Sequence, residues 1–131
     1  MNCYNEALKI FESHVGSEST YSDQLDAVGK YLWKSKWKGV LPSDAEMPRK
    51  GYYIINVDKR EDPGSHWMAV CDNMLYDSFG RYQSKLVPHV RTMDETEHNA
   101  EQGNLEENCG ARSLAWIFVY DAMGREIAHS I

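Results

Sequence analysis

The chain has 131 residues, 42% of them hydrophobic, with 14 Lys and Arg against 20 Asp and Glu and a net charge of −6. That is enough for one compact soluble domain over residues 1–131 and too little for two, and it is neither a disordered nor a fibrous composition. The acidic balance argues against a surface given over to nucleic acid or anionic membrane, no apolar run reaches the roughly 18 residues of a spanning helix, and Met1–Glu6 lacks the basic and apolar regions of a signal peptide. The expected place is the cytosol or nucleus, not the exterior.

Ala7, Leu8, Ile10, Phe11 and Val15 recur near helical spacing and predict a first helix over 5–15, stopped by Gly16. A second starts near Ser19-Thr20 with Ser22-Asp23 in its first turn. It carries Leu25, Val28, Tyr31 and Leu32 on one face despite Gly29. It runs into Trp33-Lys34-Ser35-Lys36-Trp37-Lys38. In one reading the indoles pack on the core under the Lys stems; in the other, Trp33–Lys38 is a small nucleic-acid patch of stacking rings and ammonium groups. Pro42 and Pro48 mark a loop.

From Gly51 the pattern changes. Tyr52-Tyr53-Ile54-Ile55-Asn56-Val57 is a β-prone run closed by the turn-forming segment 58–64. His66–Cys71, the pair Asp72-Asn73, and Met74–Gly80 read as a β-hairpin with a two-residue turn. Residues 81–90 hold a short helix with Leu86 and Val87, broken by Pro88. Residues 92–111 contain six acids and no Lys or Arg and read as a polar loop, which leaves fourteen acids against fourteen bases elsewhere. The run from Ala111 to Met123 is apolar nearly all round and predicts a buried helix.

The hairpin carries a testable register. With Asp72-Asn73 as the turn, Cys71 faces Met74, Met68 faces Asp77 and His66 faces Phe79. His66, Met68, Asp77 and Phe79 then share a face, and Asp77 lies diagonal to His66, within reach of an imidazole. That is how an acid orients a histidine and stabilises its imidazolium.

Cys3, Cys71 and Cys109 are an odd number without paired spacing, so reduced thiols are expected rather than a disulfide framework or a metal site. Cys109 directly precedes the buried helix, where first-turn amides and the helix dipole favour a thiolate, and Gly110 beside it lets a substrate backbone come close. Cys71 lies on the strand face opposite His66, and Cys3 is near a terminus. A Cys-His pair also needs donors for a developing oxyanion: the Cys109 amide is one, and the Gln102 side chain is a candidate for the second. Each piece alone has an ordinary structural reading. A metal site built from Cys109, His66 and Asp77 lacks the usual ligand spacing, and His98, the rival to His66, sits in a polar loop with no strand to hold an acid against it.

Taken together, Gly64-Ser65-His66-Trp67-Met68-Ala69, Leu75-Tyr76-Asp77-Ser78-Phe79-Gly80, Gln102 and Asn108-Cys109-Gly110 resemble the adenain family of adenovirus maturation endopeptidases. More distantly they resemble the proteases that process ubiquitin-like proteins. The shared order is His, acid, Gln, Cys, with Trp after the His and Gly after the Cys. The resemblance covers residues 52–123. It implies an α+β fold: a small antiparallel or mixed sheet with a hairpin, packed on a central buried helix that starts at the catalytic Cys, plus N-terminal helices.

It also implies a thiol protease cleaving after glycine. His66 is the base, Asp77 its orienting acid, Cys109 the nucleophile, and Gln102 with the Cys109 amide the oxyanion hole. Trp67, Gly110 and Asn56 line a groove walled partly by the 51–57 strand. The implied substrate is a viral capsid or core precursor, in the virion and the host cytoplasm or nucleus; the alternative within the class is a ubiquitin-like modifier. The chemistry needs no cofactor or metal. An activating peptide belongs to the family pattern, while the acidic balance argues against the family's DNA cofactor. From a different class, the fold could serve as a catalytically silent peptide-binding module, though such a module has no reason to keep His66, Asp77 and Cys109 together.

Overall fold

The sheet grows outward from the most β-prone segment of the chain. The computed structural model describes residues 3–15, 22–57, 66–98 and 109–131. Within these, Tyr52–Val57 (β2) pairs antiparallel with His66–Cys71 (β3), setting Tyr52 opposite Cys71, Asn56 opposite Trp67 and Val57 opposite His66. The hairpin forms as expected: β3 turns through Asp72 and Asn73, at φ 46° and 69°, into Met74–Tyr76 (β4). Both turn residues tolerate the left-handed region, which gives the tight turn that matches strand twist. Cys71 opposes Met74, Val70 opposes Leu75 and Ala69 opposes Tyr76.

Two parallel edges complete a mixed five-stranded sheet in the order β1-β2-β3-β4-β5, with Trp37–Pro42 as β1 and Asp94–Glu95 as β5. Neither edge is legible as a strand in the sequence. Trp37–Pro42 contains Gly39 and Pro42, and Asp94–Glu95 lies in the expected acidic loop; both are strands because a buried neighbour supplies their hydrogen-bond partners.

Cys3–Val15 (α1), Ser22–Trp33 (α2) and Cys109–Met123 (α4) cover one face of the sheet, and Gln83–Leu86 (α3) lies on the other. The helical side buries Tyr4, Phe11, Leu25, Trp33, Trp37 and Trp116 against Tyr52, Ile54, Trp67 and Tyr76. The far side buries Tyr53, Ile55, Met68 and Val70 under Met47, Leu86, Val87 and Met93. Burial on both faces is why β2 and β3 read as continuous apolar runs rather than as an alternation. Arg91 closes the far side by donating to the Met47 and Pro48 carbonyls and to Asn73 Oδ1. The chain ends in a helix the sequence did not suggest, Arg125–His129 (α5), whose Ala128 carbonyl accepts the Trp116 indole N–H at 2.9 Å. Among the described residues no helix is long and apolar enough to cross a membrane.

The buried face of α2 differs from the expected one. Leu25 is buried, but Tyr31 is 80% exposed and lines an outer apolar groove with Ile10 and Phe118. The buried stripe is Leu25, Gly29 and Trp33. The reason is Trp37, whose indole packs directly against Gly29 and donates to Asp26 Oδ1 at 2.8 Å. With Trp33 and Trp37 only 5% and 7% exposed, the indoles of the Trp33–Lys38 patch are core residues and offer no stacking platform. The expected stop at Gly16, start at Ser19-Thr20 and turn over 58–64 lie outside the described residues.

A Cβ on Gly29 would stand 2.2 Å from the Trp37 ring, which its buried position and its bond to Asp26 prevent from moving away. Gly29→Ala, which would stabilise an open helix by roughly 1 kcal/mol, should here cost about 1–3 kcal/mol. Urea unfolding of the two proteins measures the difference.

Candidate active site

The start of β3, the turn after β4 and the head of α4 meet at one end of the sheet. β4 ends at Tyr76, so Asp77 and Phe79 fall just past the ladder, yet both reach His66 as the register foresees. The Asp77 carboxylate Oδ1 bonds His66 Nε2, and the Phe79 ring lies 5.3 Å from the imidazole, centroid to centroid. This leaves Nδ1 as the ring nitrogen outside the Asp77 bond.

Asp77 is held from both sides. Its second oxygen accepts the Arg81 backbone N–H at 2.9 Å and Arg81 Nε at 3.1 Å. The chain returns through a turn in which Gly80 donates to the Asp77 carbonyl at 2.9 Å with φ +72°, a value suited to glycine. The Asp77 side chain is 1% exposed. Burial alone would raise its pKa, but the bonds from His66 and Arg81 outweigh burial and hold it at about 2. No motif in the sequence pointed to Arg81; four residues beyond an acid and just past a turn glycine is the only local signal it carries.

Cys109 is the first residue of α4 and is buried. Its sulfur takes the backbone N–H groups of Trp67, Gly110 and Cys109 itself, which favour the thiolate. Burial is the larger effect and pushes the thiol pKa up, with the nearby Asp77 charge adding to it. The expected thiolate at the helix head is therefore corrected: the amides are in place, but desolvation wins and the resting group is a neutral thiol. Ser113, one turn on, donates to the Trp67 carbonyl at 3.3 Å, so α4 grips both ends of the residue that follows His66.

The remaining sequence candidates divide. Trp67 is buried in the helical-side core directly across from Asn56, whose Oδ1 is buried without a hydrogen-bond partner. Gly110 is buried beside Cys109. Gln102, Ser65 and Asn108 lie outside the described residues, as does half of the acidic loop, residues 99–108. Cys71 is fully buried under α4, and burial pushes its thiol well above the usual range. His98, expected to lack an acid, has one: Glu95 of β5 lies 4.0 Å from its Nε2. That pair is the more solvated, with Glu95 27% exposed against 1% for Asp77, and the His98 ring also lies against Tyr82, tilted by 39°. Among the described residues no group of His, Cys, Asp and Glu is arranged to hold a metal ion.

Comparisons with protein-family models, with curated proteins and with solved structures return no match.

The low Asp77 pKa ties the site to acid stability. A carboxyl at about 2 when folded, against an ordinary value of 3.8, contributes stability that is fully present above pH 4 and is lost as the pH falls toward 2. The loss should amount to about 2 kcal/mol. Asp77→Asn should lack this increment, so the stability difference between it and the wild type should shrink over that window; urea titrations at pH 2 to 5 measure it.

Proposed function

We propose that this chain is a cysteine endopeptidase that cleaves peptide bonds after glycine, and that its substrates are capsid or core precursors of a virus. The observation that carries the reading is the part-buried His66–Asp77 pair, its carboxylate sealed from water, at the strand end where the Trp67 amide meets the Cys109 sulfur. The adenain-like order of His66-Trp67, Asp77, Gln102 and Cys109-Gly110 supports the same chemistry and supplies the glycine preference.

The resting neutral thiol suits a base-activated nucleophile. As the carbonyl of a bound peptide is attacked, His66 takes the Cys109 proton on Nδ1 while Asp77, ionised across the working pH range, stabilises the imidazolium through Nε2. The sulfur bonds to the carbonyl carbon, and the oxygen that gains charge is met by the Cys109 amide and the Gln102 carboxamide. His66 returns the proton to the departing amine as the C–N bond breaks, leaving a thioester on Cys109. Water, deprotonated by His66, then attacks that thioester and frees both the acid product and the thiol. Asn56, with its unpartnered Oδ1 across from Trp67, is the acceptor for a main-chain N–H of the bound peptide.

A glycine-terminated vinyl sulfone peptide should label Cys109 in the wild type, not at all in Cys109→Ala, and about 10²–10⁴-fold more slowly in His66→Ala. No labelling of the wild type, or equal labelling in His66→Ala, overturns the reading. Mass spectrometry of virion precursors and of ubiquitin-like fusions incubated with each protein then identifies the substrate class.

A further inference from the structure

We infer that Arg81 is a positioning residue of this site, dividing the Asp77 carboxylate with His66 and so setting how strongly that carboxylate holds the imidazolium that works on Cys109. The inference rests on the protease reading and adds to it a residue that no motif supplies.

Four side chains close a ring of contacts. Asp77 touches His66 through one oxygen and Arg81 through the other, with Arg81 Nε at 3.1 Å. Arg81 lays its guanidinium over the Phe79 ring, 4.9 Å from carbon to centroid, and the same ring lies 5.3 Å from His66, tilted by 41°. The imidazole is thus bounded by Asp77 and Phe79, and Arg81 braces both. The consequence is electrostatic. An isolated buried carboxylate would spend its whole field on the imidazolium, whereas a guanidinium on its second oxygen cancels part of that field. The charged groups that act on the Asp77 carboxylate include the His66 imidazolium and Arg81 from the turn after it, and Asp77 in turn disfavours ionisation of the neutral Cys109 thiol at the head of α4. Arg81 is 31% exposed on its side chain while Asp77 is sealed, so the opposing charge enters the site from the solvent side. A base held less tightly in its protonated form returns the proton to the leaving amine more readily, which is the step that needs an acid.

Substitution can separate this role from bracing, because the Arg81 backbone N–H bonds Asp77 whatever the side chain. Alkylation of Cys109 by iodoacetamide, followed site by site by mass spectrometry from pH 4 to 10, reads the window over which the thiol and imidazole cooperate. In Arg81→Gln the rising limb of the profile should move up by about one pH unit, while Arg81→Lys, which keeps the charge, should stay close to the wild type. In a Cys109→Ala background the proton bridging His66 Nε2 and Asp77 should move downfield in Arg81→Gln. A Gln profile that superimposes on the wild type, a Lys variant that shifts as far as Gln, or an unmoved bridging proton overturns the inference alone. A wild-type profile that His66→Ala leaves unchanged overturns the protease reading and the inference together.

Discussion

The site depends on the packing of α4 against β3 and β4. Trp116 sits at the centre of that contact, fully buried, stacked within 4° of parallel on Tyr76 and tied by its indole N–H to α5. Burying a side chain of this size contributes roughly 1.5–3 kcal/mol, and the neighbours Leu114, Ala115, Ile117 and Val119 add to it on the same helix. What this packing fixes is the position of the helix head. Trp67 then takes α4 at both its N–H and its C=O, so Cys109 is brought to the residue next to His66 by backbone contacts as well as by side-chain packing.

Charge at this end of the sheet is arranged by competition between burial and donors. Asp77 is sealed from water, yet its carboxyl stays ionised because His66 and the Arg81 backbone and side chain together outweigh the cost of desolvation. Cys109 has three backbone donors, and there desolvation, the largest influence, prevails. A buried carboxylate kept charged beside a buried thiol kept neutral puts the proton on sulfur at rest and the stabilising charge behind the histidine, the order in which a general base needs them.

Much of this could be read from the chain. The Asp72-Asn73 turn fixed the hairpin register because both residues accept a left-handed backbone, and that register, continued through the turn past Tyr76, brings Asp77 and Phe79 to His66. The apolar character of 111–123 marked the buried helix, and hence the position of Cys109 at its head. The faces of α2 could not be read, since Gly29 looks like a weak point in a helix until Trp37 is packed against it. The edge strands were equally hidden, because Trp37–Pro42 and Asp94–Glu95 owe their form to partners far along the chain.

By itself, then, the sequence determined the local pieces: which segments are apolar, where the hairpin turns, and which histidine, acid and cysteine lie in an order that resembles a thiol protease. Those depend on period and turn chemistry, which act over a few residues. The tertiary structure decided the protonation of those pieces and the company they keep. Whether Cys109 rests as thiol or thiolate is a balance of desolvation against three amides, one of them from a strand more than forty residues away. Whether Arg81 is a surface charge or a partner of Asp77 depends on the turn at Gly80 closing and on the Phe79 ring, which contacts both Arg81 and His66. Burial and field are sums over neighbours, and the neighbours are known only when the chain has folded.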